Sequence, residues 1–242
     1  MLVGLKTLKI KLKDIVPNRV KDALQKIKSV FCDSYYTKSY SLEGEDMILN
    51  GFFNTQKDGF YVDIGAHHPK LYSNTFFFYK KGWRGINIDA MPGSMRSFKR
   101  SRRRDINLEN PVATTKGEMT YYSFNEPALN TFSKELAHQM ESLPNYHLLK
   151  SEKLETMPLS EILDAHLPAG QKIDFMSIDV EGLDLEVLRS NSWSKYSPKV
   201  ILIEQLDFSI DSIDADEIFA YLKGHQYKFF ARTCSTTFFV KD

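Results

Sequence analysis

The stretch GFYVDIGAHHP, residues 59–69, reads as a buried strand that runs into a tight glycine turn. The apolar residues 60–62 predict the strand, and Asp63 and Gly65 follow where the strand would end. A dinucleotide-binding loop would continue with two more glycines, which allow the backbone to approach a pyrophosphate. Residues 66–69 are Ala-His-His-Pro instead. The stretch therefore predicts a ligand loop that has too little room for a pyrophosphate.

Strands and helices alternate along most of the chain. Short apolar runs predict strands at 59–64, 84–89, 106–114, 118–124, 173–179 and 199–204, and a closing hairpin at 226–240. Apolar residues at helical spacing predict a helix capped by Ser41 and further helices around Ser73, Pro92, Leu159, Leu185 and Ile218. Residues 125–158 are polar and irregular, which indicates a lid or an acceptor-binding insertion. We expect an α/β fold whose mostly parallel sheet is covered by helices on both faces.

The composition is that of an ordinary globular protein. The chain has 242 residues, of which 42% are hydrophobic and 26% are charged, and its formal net charge is +1. A net charge near zero argues against nucleic acid as a partner. Cys32 and Cys234 are too few for a disulfide framework and lack metal-type spacing. No run approaches the ~18 apolar residues of a membrane span, and lysines interrupt the N-terminal apolar stretch. We expect a cytoplasmic protein.

Residues 1–38 differ in character from residues 39–242, and we divide the chain there. Lysines and arginines outnumber acidic residues strongly in the first segment, and apolar residues recur at helical spacing over 19–31. This pattern predicts a basic amphipathic N-terminal helix. Such a helix either lies on an anionic membrane surface through residues 1–31 or docks on the domain with its basic face in solvent. We favour the second interpretation.

Four predicted strands end in an acidic residue: Asp63, Asp89, Asp179 and Glu204. Ligands of such sheets bind beyond the carboxyl ends of the strands. Asp89 follows Gly65 at the distance expected of an acid that binds a ribose diol and repels a 2′-phosphate. Asp63 would meet an ammonium group. A ribose combined with an amino-acid group, in place of a pyrophosphate, is found in S-adenosylmethionine (SAM).

Several segments together resemble the FkbM family of SAM-dependent methyltransferases. They occur in the same order between residues 40 and 205: YSLEGEDMIL, GFYVDIGAHHP, YSNT, KKGWRGINIDAMP, ALNTFS, IDFMSIDVEGLDLEVL and PKVILIE. The resemblance implies a class I methyltransferase domain over residues 39–242, with a Rossmann-like, seven-stranded sheet whose last strand is antiparallel. It also implies O-methylation of sugars, glycans or polyketide-type products.

The resemblance implies that eight positions bind SAM: Asp63, Gly65, Ala66, His67, Ser73, Asn74, Asp89 and Met91. Asp63 and Gly65 match the family's SAM loop, and Asp89 matches its ribose-binding acid. Met91 would pack on the adenine face, and the SNT segment would lie near the SAM carboxylate. The sequence departs from the family at His67, where many relatives carry a smaller polar residue, and at Pro69, where many carry glycine.

A sugar hydroxyl is a poor nucleophile at neutral pH, so its methylation needs a base or a metal ion. Asp179 and Glu181 follow one predicted strand, and Glu204 ends the next. Either one of these carboxylates is a general base with a structural partner, or Asp179 and Glu204 bind Mg²⁺ or another divalent cation. His68 is a further candidate base, although a histidine beside a glycine loop more often orients the backbone.

We expect a SAM-dependent O-methyltransferase that acts on a sugar of a bacterial surface glycan or its precursor. The acceptor would be a sugar or glycan, nucleotide-linked or lipid-linked, and a lipid-linked acceptor would suit an enzyme at the inner face of the membrane. The cationic residues 99–104 either bind an anionic acceptor or form the solvated end of a helix, and we favour the second interpretation. The alternatives are a non-catalytic methyltransferase-like scaffold and an NAD-dependent sugar oxidoreductase on a similar sheet.

Overall fold

Strands and helices alternate in the computed structural model, which describes Pro17, Val20, residues 36–206 and residues 208–241. Its strands are β1 Phe60–Ile64, β2 Arg84–Asp89, β3 Ile106–Glu109, β4 Gly117–Phe124, β5 Leu148–Thr156, β6 Phe175–Ile178, β7 Val200–Glu204, β8 Lys228–Arg232 and β9 Thr236–Val240. Its α-helices are α1 Glu45–Phe52, α2 Phe76–Lys81, α3 Met95–Ser101, α4 Lys134–Glu141, α5 Leu159–His166, α6 Asp184–Arg189 and α7 Glu217–Gly224. Two short 3₁₀ helices cover Pro127–Leu129 and Ile210–Ala215. All of these elements lie in the compact unit that begins at Ser39.

Seven strands form one sheet in the order β3-β2-β1-β6-β7-β9-β8. The neighbours from β3 to β7 are parallel, whereas β9 runs antiparallel to both β7 and β8. The chain leaves the central strand β1 toward β2 and β3 and later returns to the other side of β1 with β6. Such a switch point opens a crevice at the carboxyl ends of the strands. The predicted seven-stranded, mostly parallel sheet with an antiparallel C-terminal hairpin is confirmed.

Helices cover both faces of the sheet, as the sequence predicts. Val62 of β1 lies in one core with Leu163 of α5 and Val187 of α6. Its neighbour Tyr61 lies in a second core with Phe78 of α2. Successive side chains of a strand point to opposite faces, so a strand with a core on each side is apolar along most of its length. This explains the unbroken apolar run before Asp63.

The first helix begins later than the sequence predicts. It starts at Glu45, and its N-cap residue is Gly44, with a left-handed φ of +90°, rather than Ser41. The Ser41 hydroxyl donates to the Asp46 carboxylate at 2.9 Å and accepts the Asp46 amide at 3.2 Å. Ser41 therefore stabilises the turn before the helix instead of capping the helix itself.

Residues 125–158 are more regular than the sequence predicts. They contain a 3₁₀ helix, α4 and β5, and β5 pairs antiparallel with β4 in a separate two-stranded sheet. The predicted strand at 118–124 is thus confirmed, but it lies outside the main sheet. Most of β5 is exposed, so it lacks the alternation of apolar and polar residues by which strands are recognised. Strand β3 ends at Glu109, short of the predicted 114 and before Pro111, which has no N–H for a ladder bond.

The N-terminal prediction stays untested. The helix predicted over residues 19–31 lies outside the described residues apart from Val20, and so does most of the segment 1–31 that would contact a membrane. Within the part of the chain that the structure describes, no helix has the length and apolar character needed to span a bilayer.

Candidate active site

A cavity of about 250 Å³ opens at the carboxyl ends of β1, β2, β6 and β7. Its lining includes the eight residues expected to bind SAM: Asp63, Gly65, Ala66, His67, Ser73, Asn74, Asp89 and Met91. It also includes the three acidic residues expected to serve catalysis or metal binding: Asp179, Glu181 and Glu204. The fold therefore brings these predicted residues around one space, because their strands end at the same edge of the sheet. Their individual roles stay predictions.

Gly65 allows the loop after β1 to pass directly against the segment after β6. Its φ is +80°, and a Cβ atom at this position would lie 1.6 Å from the carbonyl oxygen of Asp179. The amides of Gly65 and Ala66 both donate to the carbonyl of Ile88, at 3.0 and 3.1 Å. Only glycine fits this approach without moving the backbone. The loop is consequently held between β2 and Asp179.

Backbone amides fix the carboxylate of Asp89. The His67 amide donates to one carboxylate oxygen at 2.7 Å, and the Met91 amide donates to the other at 2.8 Å. His67 has a left-handed φ of 48°, which belongs to the tight turn that directs its amide. Burial raises the pKa of Asp89, and the two amide hydrogen bonds act in the opposite direction. Each oxygen keeps capacity to accept a further hydrogen bond from a ligand.

Asp63 lines the cavity and is anchored by a residue outside the lining. Its carboxylate accepts a hydrogen bond of 2.6 Å from the Thr75 hydroxyl, which in turn accepts one of 3.0 Å from Arg102. Burial raises the pKa of Asp63 to about 6, while the Thr75 hydrogen bond and the charge of Arg102 lower it. Asp63 thus joins the cavity to a buried polar network behind β1.

The loop before α2 is ordered by its own side chains. The Ser73 hydroxyl accepts the Phe76 amide at 3.1 Å, at the first turn of α2. The Asn74 side-chain amide donates to the Ser177 hydroxyl of β6 at 3.0 Å. Because Ser73 and Asn74 both line the cavity, these contacts hold two polar side chains at its wall.

Asp179, Glu181 and Glu204 form a compact group that we call the acid cluster. Each offers a carboxylate oxygen, and these three oxygens all lie within 4.8 Å of one another. The residues meet because β6 and β7 are parallel neighbours and end at the same edge. Glu181 has a left-handed φ of 53°, and its carbonyl accepts a 2.9 Å hydrogen bond from the Thr131 hydroxyl.

The acid cluster has no cationic partner within the described residues, since none of the ion pairs found there reaches it. Burial, together with the charge of Glu204, raises the pKa of Asp179 well above its ordinary value. Burial and the charges of Glu204 and Asp184 raise the pKa of Glu181 to about 8. Burial also raises the pKa of Glu204, which a hydrogen bond from Asp179 lowers. Many protein atoms surround Asp179, but its side chain is exposed to the open cavity. Contact with solvent in the cavity therefore moderates the effect of burial on its pKa.

His68 is not brought to the cavity lining. Its Nδ1 atom accepts the backbone amides of Lys70 at 3.2 Å and Leu71 at 2.9 Å. Burial and the nearby positive charges of His67 and Lys70 lower its pKa. The ring of His68 thus orients the loop backbone, which is the more common role of a histidine beside a glycine loop, and its role as a base stays a prediction.

The cationic stretch 99–104 is not a uniformly solvated helix end. Arg102 is fully buried, and its guanidinium donates to Asp105 at 2.9 Å and to the Tyr61 hydroxyl at 2.7 Å. It also donates to the carbonyl of Pro69 at 3.1 Å and so anchors the loop that follows Gly65. Arg102 therefore has a structural role, whereas the other cations of the stretch are exposed as expected.

The sequence does not single out every residue of the cavity lining, and Glu45 and Asn110 are two examples. Glu45 lines the cavity, and its carboxylate accepts hydrogen bonds from Thr236 at 3.3 Å and Thr233 at 3.4 Å. This contact joins α1 to the distant C-terminal hairpin, so no local pattern predicts it. Asn110 also lines the cavity, just after β3. Its position after a predicted strand resembles that of the acidic residues, but its side chain is an amide and not a carboxylate.

This architecture, with a glycine loop after the first strand and acids at the strand ends, is that of a SAM-dependent methyltransferase. Residues 63–229 match the methyltransferase FkbM domain. The match covers more than half of the chain, and the protein belongs to the FkbM methyltransferase family. The family assignment argues against the NAD-dependent alternative.

Solved structures give a further comparison. One match is the TehB-like SAM-dependent methyltransferase from Corynebacterium glutamicum, with a TM-score of 0.41 and 8% sequence identity. The alignment covers 94% of this chain and 100% of that chain. No curated protein matches the sequence significantly.

Proposed function

We propose that this methyltransferase transfers the methyl group of SAM to a hydroxyl of a sugar in a bacterial surface glycan or its precursor. The observation that carries the proposal is the acid cluster at the edge of the cavity, with three carboxylate oxygens within 4.8 Å of one another. Carboxylates with raised pKa values suit the removal of a hydroxyl proton near neutral pH. The glycan context follows from the family resemblance.

The chemistry of the cavity wall supports SAM as its ligand. Asp89, fixed by two backbone amides, would accept hydrogen bonds from both ribose hydroxyls. Met91 would pack on the adenine, and Asp63 would meet the ammonium group. Ser73 and Asn74 would lie near the SAM carboxylate. Acidic side chains suit a ligand that carries two cationic groups.

Residues of the acid cluster would handle the proton of the acceptor. When bound, SAM supplies a methyl carbon whose bond to sulfur breaks as the acceptor oxygen bonds to it, and sulfur keeps the electron pair. Either Asp179 or Glu181, in its ionised form, would accept the single proton of the acceptor hydroxyl, and Glu204 would be the structural partner beside Asp179. A cation bound nearby lowers the pKa of a carboxyl group. The positive charge of bound SAM would therefore lower the pKa of the base, so that the base is ionised when SAM is bound.

A divalent cation is an alternative use of the same carboxylates. Hard oxygen ligands suit Mg²⁺ or Ca²⁺, which hold such oxygens at about 2.0–2.6 Å. The spacing within the acid cluster fits one ion of this kind. Asp179 and Glu204 would hold it, and it would lower the pKa of the acceptor hydroxyl. Recovery of activity when Mg²⁺ is returned to chelator-treated enzyme would support the metal, and full activity in chelator would exclude it.

We place the enzyme in the cytoplasm, with membrane contact through residues 1–31 if its acceptor is lipid-linked. The basic composition of this segment supports the contact. A flotation assay tests it with anionic and with neutral liposomes at low salt. A helix docked on the domain, which we favour, predicts no flotation, whereas flotation with anionic liposomes alone would support membrane contact.

Calorimetric titration tests the assignment of SAM residues. We expect wild-type protein to bind SAM and not NAD, and Asp89→Asn to weaken SAM binding by at least about tenfold, because a charged acceptor of hydrogen bonds is lost. Glu109→Gln is the matched control, since Glu109 is an exposed acid at the end of the neighbouring strand β3. Equal affinity of Asp89→Asn and wild type would contradict the ribose assignment.

A screen of sugars and glycosides for formation of S-adenosylhomocysteine tests the acceptor class. Turnover with a sugar hydroxyl supports the proposal. Tight SAM binding without turnover on any sugar would contradict a sugar acceptor, and the absence of SAM binding by folded protein would favour the non-catalytic scaffold.

A further inference from the structure

A second cavity of about 260 Å³ adjoins the first and shares Glu181 and Glu204 with it. Its remaining lining is mainly apolar: Leu129, Leu136, Met140 and Leu206, with Thr131, Gly182 and Asp184. Glu181 and Glu204 therefore line both the cavity that suits SAM and a second cavity whose lining is mainly apolar. A molecule in the second cavity would present its near end to the carboxylates at which we place the acceptor hydroxyl.

One helix supplies half of the apolar side chains of the wall. Leu136 and Met140 are four residues apart in α4, so they lie on the same face of the helix. The helix approaches the loop after β6 closely, because a Cβ atom on Gly182 would lie 2.6 Å from Leu136 Cδ1. Thr131, just before α4, donates to the carbonyl of Glu181 at 2.9 Å. These contacts fix the wall over the acid cluster.

The far side of the cavity is open and apolar. Leu206, which follows β7, is 70% exposed. The polar side chains at this cavity are Thr131 and the acidic residues, and the Thr131 hydroxyl already donates to Glu181. A second sugar ring would need many hydrogen-bonding partners, which this wall does not offer. An apolar group would instead remove the exposed leucine surface from water.

We infer that the second cavity binds an apolar group attached to the sugar that is methylated, so that the acceptor is a glycoside with an alkyl or aromatic aglycone. The inference builds on the proposed sugar acceptor and adds its neighbouring group. The hydroxyl lies at Glu181 and Glu204, while the aglycone packs on Leu136, Met140 and Leu206.

Matched pairs of glycosides test this inference by turnover. For each sugar and anomer, the methyl glycoside is compared with the octyl glycoside at concentrations below micelle formation. We expect a KM at least about tenfold lower for the octyl compound, with similar kcat, because the aglycone adds buried apolar area. Leu136→Gln should remove this advantage, so that the two glycosides have similar KM values with this variant. Equal KM values for the two glycosides with wild-type enzyme would overturn the inference.

Leu149→Gln is the matched control, because Leu149 is 64% exposed on β5 and lines neither cavity. A binding experiment separates the inference from the proposed function. A saturation-transfer NMR experiment is run with S-adenosylhomocysteine present. Saturation should pass from the protein to the alkyl protons of octyl glucoside with wild type and Leu149→Gln, but not with Leu136→Gln. Alkyl contact without methylation of any sugar would contradict the proposed acceptor alone. The absence of alkyl contact with wild type would overturn the apolar subsite.

Discussion

Two groups of charged residues, one fully buried around Arg102 and one at the edge of the cavity, are built in opposite ways. Behind β1, Arg102 is fully buried but paired with Asp105 at 2.9 Å, and its guanidinium has further hydrogen bonds to Tyr61 and Thr75. At the carboxyl ends of β6 and β7, the acid cluster gathers three carboxylates without a cation among the described residues.

We interpret this difference as one of role. The paired charges around Arg102 stabilise the fold, whereas the unpaired carboxylates of the acid cluster would bind a ligand. A buried cation, each nitrogen of which donates a hydrogen bond, holds the loop after Gly65 in place through the carbonyl of Pro69. Like charges held together raise one another's pKa and destabilise the folded protein unless a proton or another cation joins them. The acid cluster is therefore placed where a cationic methyl donor would supply the missing charge.

The largest effect on activity should follow removal of one acid of the cluster. Asp179→Asn is expected to lower kcat by about 10²- to 10⁴-fold, the usual contribution of a general base. Its stability above neutral pH should rise, because one like charge is gone. Glu155→Gln, an exposed acid on β5, is the control. Production of S-adenosylhomocysteine and thermal unfolding measure the two effects, and near-normal turnover with intact SAM binding would contradict a catalytic Asp179.

The largest effect on stability should follow removal of the buried cation. Arg102→Met leaves Asp105 buried without its partner, and breaking such a pair costs about 3–5 kcal/mol. Arg103→Met, an exposed residue of the same stretch, should change the free energy of unfolding by less than about 0.5 kcal/mol. Urea unfolding of both variants measures the difference. Equal stability of the two variants would show that the Arg102 network does not support the fold.

A smaller effect is the dependence of stability on pH. Burial and neighbouring carboxylates raise the pKa of Glu181 from 4.5 to about 8, and burial raises that of Asp184 from 3.8 to about 7. The folded state then binds more protons than the unfolded state across this window. Its stabilisation is complete below the ordinary pKa values and is lost as the pH rises toward about 8.

We therefore expect the ligand-free protein to become less stable between about pH 5 and about pH 8, and Glu181→Gln to flatten this slope. Urea unfolding at several pH values in chelator measures it. A free energy of unfolding that increases with pH in wild type, or that has the same pH dependence in Glu181→Gln, would contradict the raised pKa of Glu181.

Much of the site could be predicted because it depends on where strands end. Asp63, Asp89 and Glu204 close apolar runs, and Asp179 follows one, so a parallel sheet brings them to one edge. The opposite fates of Arg102 and its exposed neighbours could not be predicted, because one cationic stretch gives no sign of which side chain turns inward. His68 has the same difficulty, since its Nδ1 contacts depend on the turn of the loop.

Tertiary packing explains the remaining differences. Glu45 reaches the cavity only because α1 packs beside the C-terminal hairpin. Strand β5 carries no apolar alternation because the ribbon it forms with β4 is largely exposed. The choice between base and metal in the acid cluster depends on separations between carboxylates, which sequence spacing does not define.

Calorimetric titration with SAM in two buffers of different ionisation enthalpy tests most directly whether a bound cation lowers the raised pKa values of the acid cluster. The titration is run in chelator at about pH 6.5, where the α-amino group of SAM, with a pKa of about 7.7–8.0, stays protonated. We predict that SAM binding releases protons from wild-type protein, so that the heat depends on the buffer, and that Asp179→Asn/Glu181→Gln releases fewer. Binding heats that are the same in both buffers for wild-type protein would contradict the account.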